Sequence, residues 1–118
     1  MRLSRRGDVP LVVEPDGLVV SPSAHVVLFN SAKLTPSLKH IEELLKDVEK
    51  VKAFFDDWDN VTTTPPDAKA HLRSDFRVVP FLSGDNFSAA VEAKCAEKGV
   101  GIVRPSGEGF VVKAAGVL

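Results

Sequence analysis

The side chains able to ligate a metal, attack a carbonyl or move a proton are few and widely spaced. The three histidines, His25, His40 and His71, do not form the H-x-x-x-H or H-E-x-x-H spacing that seats zinc on one helix face. The one cysteine, Cys95, rules out an internal disulfide and a multi-cysteine zinc site. It falls on an apolar helical stripe with no histidine positioned to activate it, so it reads as a small buried hydrophobe. Ser106-Gly107-Glu108-Gly109 has the glycine content of a phosphate-cradling loop. It leads into a strand, however, and without a helix N-terminus behind it such a loop is a hairpin turn. Asp16 offers carboxylate oxygen, the ligand that hard cations require. It sits in Pro15-Asp16-Gly17, which is turn chemistry whatever else it does, with proline presetting φ and glycine closing the bend.

The elements that must position these groups form an ordered series. Val9 to Val13, Leu18 to Val20 and His25 to Phe29 are apolar, β-branched runs separated by Glu14-Pro15-Asp16-Gly17 and Ser21-Pro22-Ser23. Three runs with short turns predict an antiparallel meander, and their continuous rather than alternating apolar character predicts strands covered on both faces. Thr35 as N-cap and Pro36 at the first helical position then open a long amphipathic helix. Its apolar face is Leu38, Ile41, Leu44, Leu45, Val48, Val51, Phe54 and Phe55, and its mixed-charge face is read as solvated. Thr62-Thr63-Thr64-Pro65-Pro66 ends helical structure, and the long stretch from Trp58 to Ser74 is expected to hold a short helical turn near Asp67 to Leu72. Trp58, following Phe54 and Phe55, is assigned to core packing. Phe76 to Leu82 predicts a strand, Ser83-Gly84-Asp85 a turn and helix start, and Phe87, Ala90, Val91 and Cys95 a helical stripe stopped at Gly99. Val100 to Val103 and Phe110 to Lys113 complete a βαβ unit plus a final strand. The fold class is therefore α/β: a mixed β-sheet with an N-terminal antiparallel meander, one long amphipathic helix, and the βαβ unit with its closing strand.

That order, with its local wording, resembles the core of the PD-(D/E)XK nuclease-like superfamily across about Val9 to Val112. Asp16-Gly17-Leu18-Val19-Val20 looks like the family's Asp-bearing strand entry. Leu34-Thr35-Pro36 through Ile41, Leu44-Leu45 and Val48 is similar to the helix after the catalytic strand. Val78-Val79-Pro80-Phe81, Ala89-Ala90, Cys95-Ala96, Gly99-Val100, Ile102-Val103 and Arg104-Pro105-Ser106-Gly107 look like the closing strand-helix-strand. The N-terminal helix that often opens that core is absent or truncated here. The resemblance implies Mg²⁺ held between an Asp and a Glu, with a Lys two residues after the Glu assisting the water or the charged transition state. Asp16 matches the Asp. The Glu and Lys positions fall on Phe29 and Ser31, neither of which can do that work. The implied site is degenerate, with Asp16 as its remnant and candidate metal ligand. A rearranged site would draw on Lys33, just past the strand, and on Glu42 or Glu43 as a migrated carboxylate, with Mg²⁺ or Mn²⁺ as its cofactor; otherwise no cofactor is expected.

The bulk properties narrow the function. With 118 residues and 44% hydrophobic content the chain fits one domain, residues 1–118, with residues 1–8 expected as a flexible tail carrying Arg2, Arg5 and Arg6. A formal net charge of -1 provides no global field for nucleic acid. No stretch has the roughly 18 apolar residues of a membrane span, and no secretory signal is evident, so a reducing, cytoplasmic setting is expected. The leading expectation is a non-catalytic binding or assembly module, with a protein partner or self-association, such as a homodimer through a sheet edge or helix, favoured over a small molecule. The alternatives are a metal-dependent DNA endonuclease with a rearranged site, and an unrelated α/β module binding a small ligand or protein.

Overall fold

The computed structural model describes residues 1–5, 11–107 and 109–113. The order is β1 (Arg2–Arg5), β2 (Leu11–Val13), β3 (Gly17–Ser21), β4 (Val26–Ala32), α1 (Leu38–Asp56), β5 (Val61–Thr64), β6 (Arg77–Ser83), α2 (Ala89–Lys98), β7 (Gly101–Ser106) and β8 (Gly109–Lys113). Two 3-10 turns, Trp58–Asn60 and Pro66–His71, flank β5; the second is the helical turn expected there.

Five strands form a mixed sheet in the order β3-β4-β6-β7-β8. The outer pairs, β3/β4 and β7/β8, are antiparallel hairpins. The inner pairs, β4/β6 and β6/β7, are parallel, bridged by α1 and α2. Alternate residues of each strand point to opposite faces. Val27 and Phe29 of β4, Val78 and Leu82 of β6, and Ile102 of β7 share one core with Ile41, Leu44, Val48, Val51 and Phe54 of α1 and Val91 and Cys95 of α2. Both helices therefore cover the same face. The other face gathers Val26, Val79 and Phe81 with Leu28 and Val103 into a separate apolar cluster made only of strand residues. Phe81 lies across Gly101, where a Cβ would run into the ring.

The antiparallel N-terminal strands are divided between two sheets. β3 and β4 pair with each other, whereas β2 pairs with β1, which in turn pairs with β5 in a separate antiparallel sheet of order β2-β1-β5. Arg2 to Arg5, expected in a tail, are thus the central strand of this sheet. The physical reason is Leu3, only 1% exposed, which joins Val13 and Val61 in the main core against α1. The two arginines support the strand. Arg2 reaches Glu14 at 3.5 Å, and Arg5 donates to the Ala53 carbonyl at 3.5 Å with its guanidinium over Phe54. Arg6, Gly7 and Asp8, the rest of the expected tail, lie outside the described residues.

Helix α1 begins two residues later than Thr35-Pro36 suggests. Ser37 is the N-cap: its hydroxyl accepts the His40 N–H at 3.4 Å, and His40 Nδ1 accepts the Ser37 N–H at 3.1 Å. This reciprocal pair satisfies two donors, with His40 in the place usually held by Glu or Gln. Pro36 instead packs beside Gly84, where any Cβ would strike both its ring and the Lys33 carbonyl. Helix α2 likewise starts later than expected, after Ser88, whose hydroxyl accepts the Val91 N–H at 3.2 Å. It ends at Gly99, left-handed at φ 73°, as the glycine predicts.

Candidate functional site

The residues singled out for chemistry divide between the end of β4 and the exposed side of α1. Asp16 directly precedes β3, whose Gly17 pairs with Asn30. From there its Oδ2 accepts the Ala32 N–H at 2.8 Å. The carboxylate thus extends the β3/β4 ladder by one bond beyond the last backbone pair. The adjoining residues tie β4 to β6: Asn30 Nδ2 donates to Ser83 Oγ at 3.2 Å, Ser83 Oγ donates to the Ser31 carbonyl at 3.5 Å, and the Lys33 N–H donates to the Ser83 carbonyl at 2.9 Å.

Phe29 and Ser31, the two positions that the resemblance drawn from the sequence sets against a Glu and a Lys, have structural surroundings. Phe29 is 2% exposed in the helix-covered core. Ser31 is half-buried, with its carbonyl taken by Ser83. Lys33 follows Ala32, so Asp16 and Lys33 are at the same strand end. Lys33 lines a cleft of about 430 Å³ with Ala32, Leu34, Asp85, Pro105 and Phe110. Asp85 is a residue that sequence reasoning passed over as part of a helix start. Its N–H donates to the Leu34 carbonyl at 3.1 Å, which sets it beside Lys33 in that cleft.

The helix carboxylates go elsewhere. Glu43 pairs with Lys39 at 3.9 Å. Glu42 lines a groove with Lys46, Lys94 and Lys98 between α1 and α2. Among the described residues no group of three or more His, Cys, Asp or Glu side chains converges as a metal site would require.

Other polar groups have structural partners. Glu92 receives Arg104 at 3.0 Å and Lys113 at 3.4 Å, tying α2 to β7 and β8. Cys95 is fully buried, and its thiol is pushed up to about 11 by burial and, secondarily, by the Glu92 carboxylate. At neutral pH that is a protonated, unreactive thiol. His25 is left-handed at φ 55° in the turn before β4 and lies 3.6 Å from Asp75. Lys69 donates to the Trp58 carbonyl at 2.8 Å and the Val61 carbonyl at 2.7 Å, with its ammonium over the Trp58 ring. Trp58 itself packs edge-on to Phe55 at the margin of the core.

The arrangement holds strands together with one carboxylate and leaves a shallow cleft with one ammonium and one carboxylate on its rim. Comparison with protein-family models, with curated proteins and with solved structures yields no match to this chain in any of the three.

Proposed function

We propose that the chain is a non-catalytic binding or assembly module built on a nuclease-like fold. The observation that carries this reading is the use made of the motif positions. The Asp16 carboxylate is hydrogen-bonded to the Ala32 amide, and the place of the metal-binding Glu is filled by Phe29 inside the core. A hard cation needs several oxygens converging on one point, and the neighbouring strand end contributes amides, a phenyl ring and serine hydroxyls. A protein partner or self-association is favoured over a small molecule because large apolar side chains stand open on the surface, Phe110 at 74% and Leu34 at 70% exposure. No described helix is long and apolar enough to cross a membrane. A cytoplasmic setting belongs to the same reading.

The enzyme reading keeps one observation in its favour: Asp16 and Lys33 are at the same strand end, with Asp85 beside Lys33. Against it, Glu43 is engaged by Lys39 and Glu42 stands among lysines. Cleavage of plasmid and single-stranded DNA in Mg²⁺ or Mn²⁺, with Asp16→Ala in parallel, separates the two. The expected result is no cutting by either protein. Metal-dependent cutting that vanishes in the Asp16 variant overturns the binding-module reading.

A further inference from the structure

We infer that two copies of this chain associate by pairing the outer edge of β8 with itself, antiparallel about a two-fold axis at Val111. This rests on the binding-module reading and names its partner. β8 is the last strand of the five-stranded sheet, joined on one side to β7 and by no described strand on the other. Its sequence, Gly109-Phe110-Val111-Val112-Lys113, holds no proline and no charge before its final residue. Natural edges are usually blunted by lysine, proline or a bulge, and this one is apolar along its middle. Phe110 and Val112 stand 74% and 60% exposed. Their register, opposite Pro105 and Val103, puts both on the face away from the helices.

Geometry then selects the pairing. An antiparallel join that continues the sheet needs a two-fold axis perpendicular to it, so both copies keep the same face uppermost. Opposed residues must share a face, which restricts the sum of their numbers to even values. Centring on Val111 gives full overlap of the five residues. Phe110 of each copy then lies across from Val112 of the other, an aromatic–β-branched pair of the stabilising kind. Lys113 of each copy faces Gly109 of the other, so no like charges oppose.

The most exposed side chains of the strand are thus one another's partners. The edge is about 17 Å long at ~3.4 Å per residue. Two such edges with their side chains bury on the order of 800–1,000 Å² in total, below the roughly 1,200 Å² of stable complexes and within the range of weak, transient ones. The expected dissociation constant is accordingly weak, roughly 10–100 µM. The opposite edge, β3, also carries an exposed valine, Val19 at 60%. It is bracketed by Pro15 and Pro22 and has Asp16 at its entry, and it offers no aromatic.

Sedimentation velocity from about 1 µM to 500 µM tests this on the whole chain. Wild type is expected to shift from monomer to dimer across that range. Phe110→Lys with Val112→Lys, which sets like charges face to face at exposed positions, is expected to weaken association at least 10-fold with an unchanged circular dichroism spectrum. Val19→Lys is expected to dimerise as wild type does. Concentration-dependent protection of the β8 amides in hydrogen exchange provides a second readout that needs no variant. A wild type that stays monomeric to 500 µM overturns the inference, as does a dimer lost with Val19→Lys but kept in the β8 variant. Neither result bears on DNA cleavage, which alone decides between module and enzyme.

Discussion

Replacing Phe29 by alanine tests the strand register on which the functional reading depends. If β4 is placed as described, the ring is 2% exposed among Val27, Leu44, Leu82 and the rest of the helix-covered core. Truncating a buried phenylalanine removes its transfer free energy and leaves a cavity, together about 3–5 kcal/mol. A domain of this length is stabilised by about 5–15 kcal/mol in total, so the loss is a large fraction of the whole. With a urea slope of roughly 1.5 kcal/mol per molar, the unfolding midpoint should fall by about 2–3 M. Trp58, the only tryptophan, packs on Phe55 at the core margin and reports unfolding by fluorescence. Asp16→Ala provides the contrast: one hydrogen bond accepted by an exposed carboxylate, worth about 1 kcal/mol after solvent competition, shifts the midpoint by only about 0.7 M. A Phe29→Ala midpoint within 0.5 M of wild type would refute the reasoning. It would show that position 29 is not a core position and would reopen a functional role at that strand.

Further outcomes follow from other contacts. Cys95 should resist thiol reagents in the native state and react on unfolding. Its pKa rises from 9.0 to about 11 on folding, so between those values the unfolded chain loses the proton while the native chain keeps it. Stability therefore falls as pH rises through that window, and urea midpoints at pH 8 and pH 10 for wild type and Cys95→Ala measure the contribution. Lys69→Ala removes two charge-assisted bonds to the Trp58 and Val61 carbonyls and should cost about 2 kcal/mol, with a change in native Trp58 fluorescence. Gly101→Ala drives a methyl into the Phe81 ring and should destabilise by about 1–3 kcal/mol; thermal unfolding checks it.

Local periodicity made some elements legible and left others hidden. The face of α1 could be read because Ile41, Leu44, Val48, Val51 and Phe54 repeat at helical spacing and are all buried. Its start could not, because Thr35-Pro36 has the wording of a cap while the deciding contact, Pro36 against Gly84, joins segments far apart in sequence. β1 and β5 are short and largely polar, and β5 is a strand only beside β1. At the candidate site, Asp16 was legible as a turn residue. Its bond to Ala32 was not, since it depends on the hairpin pairing Gly17 with Asn30. Asp85 was hidden for a similar reason: only the approach of β4 and β6 puts it beside Lys33.

The central position of β1 between β2 and β5 bears on how the chain acquires its structure. The β3/β4 and β7/β8 hairpins close over short loops, whereas the three-stranded sheet needs Arg2 to Arg5 to meet Val61 to Thr64. Chain entropy makes that distant closure slow relative to the hairpins. β1 can pair early with the neighbouring β2, but its other edge stays open and Leu3 lacks Val61 beside it until β5 arrives, so a partly folded species lacks the β1/β5 ladder. The β1/β2 pair thus presents an open edge until late in folding, and the amides of the β1/β5 ladder should be among the last to gain protection from exchange.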